Sequence, residues 1–254
     1  MTQARKPYIG KAMAVTLKPT VAISDAQAQA IVDRVAPGRR LRHLAALLSG
    51  EISAVFEIAL TDRPPLVLKV YPEALHWKMR KEMLVAGLLD GRTSVPVPRI
   101  LQADDSKSLI ALNFVVMTRL DGESVLGLEQ RLERSQILAI YEQMGRALRE
   151  IHRIAMDSFG YIGTDGIVTP STSNRAYMLS RFERKLGGFD QFGGNPALAA
   201  RLRSYVERSA VLLDGCTRPS LCHYDFHTGN VLAVGDRPRA DSLLPDLEKY
   251  AMLS

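Results

Sequence analysis

Residues 220–234, SLCHYDFHTGNVLAV, set His223, Asp225, His227 and Asn230 into an otherwise apolar run. Two chemistries suit that pattern. His223, Asp225 and His227 would form a His/Asp metal site for hydrolysis, with neutral imidazoles on zinc, manganese or iron. Alternatively, Asp225 orients a hydroxyl and accepts its proton, and Asn230 offers a hard oxygen to Mg2+, which is the equipment of phosphoryl transfer. The metal-hydrolase reading needs further ligands. The other histidines, His43, His76 and His152, fall in a strand, at a helix start and near a helix end.

A second group lies far upstream. In PLVLKVY the single charge, Lys69, sits inside a Val/Leu strand, where it must reach an edge or meet a partner. The helix that follows offers Glu82, so a Lys69–Glu82 ion pair is sterically natural and would aim an ammonium at a bound phosphate. Before it, LLSGEISAVFEI forms a turn between strands. Gly50 there would allow close backbone approach and Ser53 would donate to a phosphate oxygen, although a plain hairpin turn explains the same residues. After the opening stretch, VLAVGDRPRADSLLPDLE reads as two short strands joined by a loop, which returns Asp246 beside the loop of Asp225 as a second metal carboxylate. Asp236 and Asp241 are read as turn residues.

These groups need elements to hold them. SDAQAQAIVDRV predicts a short helix with Ser24 or Asp25 at its N-cap. LRHLAALL, ISAVFEIAL and PLVLKVY predict an antiparallel meander. ALHWKMRKEMLVAGLLDG predicts a helix with Leu75, Met79, Met83, Ala86 and Leu89 on its inner face. The prolines of VPVPRI make a linker, then ILQAD and SLIALNFVVM predict two more strands joined at DSK. From LEQRLERSQILAIYEQMGRALREIHRI onward the pattern is mainly helical up to the opening stretch. The boundary falls near residue 119, giving an N-terminal lobe over 1–118 and a helical C-terminal lobe over 119–254, an α+β arrangement.

Composition restricts the class. A chain of 254 residues with 46% hydrophobic and 24% charged residues is an ordinary globular protein large enough for two lobes with a cleft between them. The net charge of +6 is scattered, with no basic stripe interleaved with aromatics, so nucleic acid is not an expected partner. Two cysteines are too few for a disulfide framework. No apolar run approaches the ~20 residues of a membrane span, and the N-terminus lacks a signal-like core, so a cytoplasmic location without membrane contact is expected.

Taken in order, LVLKVY, Glu82, FVVMTRLDG, IHRI…FG, CHYDFHTGNVL and DLE resemble the aminoglycoside phosphotransferase and choline kinase group over roughly residues 40–250. The resemblance implies a bilobal protein-kinase-like fold, with a five-stranded antiparallel N-lobe carrying one main helix. It implies that Lys69 contacts the α/β-phosphates of ATP or GTP with Glu82 holding it, and that Met117, Arg119 and Leu120 belong to the hinge beside the base. Asp225 would be the catalytic aspartate, and Asn230 and Asp246 would bind Mg2+. His223 would brace the loop, and His227 receives no role. The function implied is transfer of the γ-phosphoryl group to a hydroxyl of a small molecule, possible acceptors including aminoglycosides and other antibiotics. Antibiotic resistance is an association of the family only. Two features depart from the family pattern. Pro245 precedes Asp246 and has no N–H for a strand ladder, and the chain ends eight residues after Asp246, where relatives usually continue through further helices. The second class of function is therefore a truncated or degenerate relative that binds nucleotide or a partner without catalysis. Neither oligomeric state nor acceptor is legible here.

Overall fold

Strand alternation organises the N-terminal part. In the computed structural model, which describes residues 21–47, 54–234, 244–245 and 250–251, five strands form one antiparallel sheet. They are β1 (Leu41–Leu47), β2 (Ala54–Leu60), β3 (Leu66–Tyr71), β4 (Ile100–Asp104) and β5 (Asn113–Thr118), in the order β1-β2-β3-β5-β4. Gly50, Ser53 and Asp246 lie outside the described residues. Side chains two apart share a face, so Phe56, Ile58, Leu68, Val70, Phe114 and Val116 pack with Ile31 and Val32 of helix α1 (Asp25–Val35). Ser24 caps that helix, its hydroxyl accepting the Gln27 N–H at 3.3 Å while the Gln27 side chain accepts the Ser24 N–H at 3.0 Å. The opposite face carries Val67, Lys69, Tyr71, Val115 and Met117.

Helix α2 (His76–Leu89) follows one 3-10 turn, Glu73–Leu75. The expected inner face is only partly right. Met79, Val85 and Leu89 are buried, but so are Lys81 and Glu82, while Met83 is exposed. The reason is a change of neighbour along the helix: Met79 packs on the sheet with Tyr71, Val115 and Met117, whereas Val85 and Leu89 join the core of the second lobe. The strand expected over SLIALNFVVM also begins later, at Asn113. The Asp104 carboxylate accepts the N–H and hydroxyl of Ser106 at 2.8 and 2.6 Å, extending the turn, and Ile110 is buried without joining the ladder.

Beyond Thr118 come β6 (Glu123–Ser124), α3 (Val125–Leu128), α4 (Arg134–Ile151), β7 (Phe159–Ile162), β8 (Ile167–Ser171), α5 (Asn174–Gln191) and α6 (Pro196–Ser209). The single helix expected from LEQRL to REIHRI is broken at 129–133, where the Glu133 N–H donates to the Gln136 side chain at 2.9 Å and starts α4 afresh. The β7–β8 hairpin interrupts a stretch expected to be mainly helical. Its Gly160 backbone lies so close to Ile167 that a Cβ would come within 2.4 Å of that side chain.

The chain closes with β9 (Cys222–His223), β10 (Val231–Ala233), β11 (Leu244–Pro245) and β12 (Tyr250–Ala251). These pair as β11-β10-β6 and β12-β9. Pro245 stands on an edge strand of the first, where a missing N–H is tolerated. Ile140, Met144, Ala147 and Ile151 of α4 pack with Leu221, Val231 and Ala233 beneath the loop 223–230. Gly122, at φ +142°, brings the connection between the lobes to within contact of β10, where a Cβ would lie 3.0 Å from the Ala233 carbonyl oxygen. The architecture is α+β, a bilobal protein-kinase-like fold. No helix among the described residues is long and apolar enough to cross a membrane.

Candidate active site

Lys69 is on a central strand rather than an edge, so the edge-lysine alternative does not hold. The register Val55↔Lys69↔Val115 places it mid-ladder on the face toward α2. Its Nζ lies 2.6 Å from the Glu82 Oε1, and Glu82 is 2% exposed. Tyr71, two residues on and therefore on the same face, donates its hydroxyl to the other Glu82 oxygen. One buried carboxylate thus receives an ammonium and a phenol, the condition under which a buried charge is tolerated. Tyr71 escaped the sequence reading, although the period of two that places Lys69 also places it.

Glu82 is held in turn by its helix. The preceding residue, Lys81, reaches across to the Tyr161 hydroxyl of β7 at 2.9 Å, and Arg80 meets Asp165 of the same hairpin at 3.1 Å. Beyond α2, Ser94 donates its hydroxyl to Glu150 of α4 at 2.9 Å, and its N–H reaches the other oxygen. The carboxylate that positions Lys69 is therefore tied to the second lobe.

The loop 223–230 is folded around Asp225. The Nδ1 of buried His223 accepts the Asp225 N–H at 3.2 Å, and its ring meets Phe226 edge-on at 5.3 Å. Asn230 turns its amide nitrogen to the Asp225 carbonyl oxygen at 2.8 Å and to its carboxylate at 3.1 Å. His227 Nδ1 accepts the Gly229 N–H at 3.1 Å, and its Nε2 stands 2.9 Å from the Asn230 amide nitrogen and 3.7 Å from the Asp225 carboxylate. His227, given no role on sequence grounds, therefore packs against both. The Asp225 side chain remains 46% exposed and able to meet a ligand. Among the described residues no group of three or more His, Cys, Asp or Glu is arranged to hold a metal ion, which removes the support for a His223–Asp225–His227 metal centre.

At the expected hinge, Met117 is buried on β5 opposite Val67 and Ile100. Arg119 is exposed and paired with Glu57 of β2, so its side chain is committed to the N-terminal sheet. Leu120 is half-buried in the connection that follows.

Several solved structures share this fold at low sequence identity. A thermostable mutant of aminoglycoside phosphotransferase APH(4)-Ia in ternary complex with ADP and hygromycin B superimposes with a TM-score of 0.63 at 16% identity, covering 89% of this chain and 72% of that one. The streptomycin–ATP complex of APH(2")-IIa gives 0.62 at 17% identity over 91% and 73%. The macrolide 2'-phosphotransferase MphH from Brachybacterium faecium gives 0.58 at 17% over 88% and 73%. No curated protein matches the chain. The model of the phosphotransferase enzyme family matches residues 43–240, a span that includes both the Lys69–Glu82 pair and the Asp225–Asn230 loop, and the chain belongs to that family.

Proposed function

We propose that this protein is a small-molecule kinase that transfers the γ-phosphoryl group of ATP or GTP to a hydroxyl. The observation that carries the reading is the buried Lys69–Glu82 pair at 2.6 Å, a fixed ammonium for nucleotide phosphates in a family of phosphotransferases. Lys69 binds the α/β-phosphates, and the backbone of Met117 to Leu120 borders the base. The lobes meet after Thr118. Structural relatives bound to ADP with hygromycin B, or to ATP with streptomycin, support a nucleotide and a hydroxylated small molecule as ligands.

Magnesium suits the donor set. It asks for one or two carboxylates and other hard oxygens, with phosphates completing the shell. Asn230 turns its amide nitrogen to Asp225, and its amide oxygen would be the hard ligand to the ion. Asp246 supplies the carboxylate, supported by the antiparallel register Val231↔Pro245, which brings the chain just before it beside the residue after Asn230. Bound there, the ion neutralises phosphate charge.

In the transfer, a bond forms between the acceptor oxygen and the γ-phosphorus as the bond to the nucleoside diphosphate breaks. The transition state is loose, so positioning and charge carry most of the catalysis. Asp225, ionised, orients the hydroxyl and takes its proton late. Asn230 and His223 hold Asp225 for that task. The test is a panel of hydroxylated acceptors assayed for phosphorylated product by mass, run beside Asp225→Ala, with a Mg2+-dependent thermal shift by ATP. ATP binding without any transfer would instead favour a non-catalytic nucleotide-binding relative.

A further inference from the structure

We infer that the acceptor carries an apolar ring or chain near its reactive hydroxyl, and that this group sits in a recess between α4 and residues 226–228, the part of the loop that directly follows Asp225. The inference rests on the phosphotransfer reading above and adds the chemistry of the acceptor to it.

The recess measures about 310 Å³, with Tyr141, Met144, Gly145 and Leu148 of α4 on one side and residues 226–228 on the other. None of its lining residues is Asp, Glu, Lys or Arg. Ligand pockets run to roughly 300–1,000 Å³, so a space of this size fits one group of a ligand and leaves the remainder outside. His227 shows where the remainder goes. It lines the recess, and its Nε2 stands 3.7 Å from the half-exposed Asp225 carboxylate. A hydroxyl carried a few bonds beyond a group seated in the recess therefore comes within reach of Asp225.

The walls are held before any ligand arrives. The Tyr141 hydroxyl donates to Glu129 at 3.0 Å, and the Phe226 ring meets buried His223 edge-on. His227 accepts the Gly229 N–H at 3.1 Å, and its ring lies so close that a Cβ on Gly229 would come within 2.8 Å of it. Walls fixed in this way lower the ordering cost of binding. Gly145 leaves the helix side open. It stands in the interior of α4, where glycine is the poorest helix former after proline, yet a Cβ there would meet nothing within 4 Å. Packing within the fold does not ask for glycine at that position, whereas close approach by a ligand does. An apolar group gains by leaving water for such a surface, and an ammonium finds no carboxylate among the lining residues.

The test uses the full chain, saturated with Mg·ADP, and two pairs of probes that differ by a phenyl group: methyl and phenyl β-glucoside, and glycerol and 3-phenoxypropane-1,2-diol. Glucosamine is the cationic control. Thermal shift reads binding, and phosphorylated product with ATP reads transfer. In at least one pair the phenyl member should half-saturate at a concentration about tenfold lower and be phosphorylated, the gain in binding expected from covering about half of a phenyl ring. Gly145→Leu fills the recess from the helix side. If it retains the ATP-induced shift, and so is folded, it should bind both members of that pair alike. Tyr141→Ala, which removes an exposed wall, is read by the same criterion should the leucine variant not fold. No phenyl preference in either pair, absence of binding included, a preference that survives in the folded variant, phenyl binding without product, or glucosamine binding as tightly as phenyl glucoside overturns the inference. If wild type gives no Mg2+-dependent shift with ATP, the phosphotransfer reading fails instead.

Discussion

The two halves of the site are built on opposite principles. Lys69, Glu82 and Tyr71 form a buried arrangement on a central strand and a helix, with Glu82 only 2% exposed. Asp225 and Asn230 sit on a loop, and Asp225 keeps 46% of its side chain in solvent while the His223 imidazole and the Asn230 amide hold its backbone. A buried ion pair is costly to break, because removing one partner strands the other in a medium of low dielectric. A solvated carboxylate is cheap to remove as far as stability goes. The comparison teaches that loss of the first half should appear as instability, and loss of the second as lost chemistry.

Asp225→Ala should separate the halves most sharply. Turnover should fall about 10²–10⁴-fold, the range for a positioned acid–base group, with little change in ATP binding or melting temperature. Near-normal phosphorylation by this variant would remove Asp225 from the mechanism. Glu82→Ala should do the reverse. It removes the buried carboxylate that Lys69 and Tyr71 share, at a cost of roughly 3–5 kcal/mol in denaturant unfolding and with weakened nucleotide binding. A stability close to wild type would mean that the pair is held by something other than its charges.

Tyr71→Phe sharpens the first half further, since it keeps the ring and removes one hydrogen bond to a buried carboxylate. About 1.5–3 kcal/mol should be lost, as measured by chemical denaturation. The smallest effect belongs to the tie between the lobes. The Ser94 backbone N–H first, and then its hydroxyl, hold the Glu150 carboxyl below the ordinary carboxylate range against the opposing effect of burial. A depressed folded-state pKa gives stability that is complete above the unfolded value and is lost as pH falls through the folded one. The advantage of wild type over Glu150→Gln should therefore be present at neutral pH and shrink in acid. An advantage independent of pH would show that packing, and not charge, makes that tie.

Much of this was legible from residue pattern. Strand alternation predicted β1, β2 and β3 close to their observed bounds, and Ser24 caps α1 as its type and position suggest. The errors have common causes. The run SLIALNFVVM is apolar throughout, so nothing in its period marks where the ladder begins. The break at 129–133 is local capping inside a continuous helical pattern. Met83 was assigned inward because helical spacing was continued past the point where α2 leaves the sheet for the second lobe. The β7–β8 hairpin, rich in Gly, Thr and Asp, gave a turn signal that went unused.

The sequence by itself determined which groups are available: one lysine inside an apolar strand, an acid on the next helix, and an aspartate and an asparagine spaced by a loop. These are local properties, set by side-chain type and by the periods of strand and helix. Tertiary structure alone decided that β3 is central, that Tyr71 and Lys69 share the Glu82 carboxylate, that Lys81 crosses to Tyr161, and that His227 reaches both Asp225 and Asn230. It also decided which charges of α5 are cancelled by α6. The physical reason is that pairing and burial depend on neighbours distant in sequence. A residue type states what a side chain can do, and only the packing states what it meets.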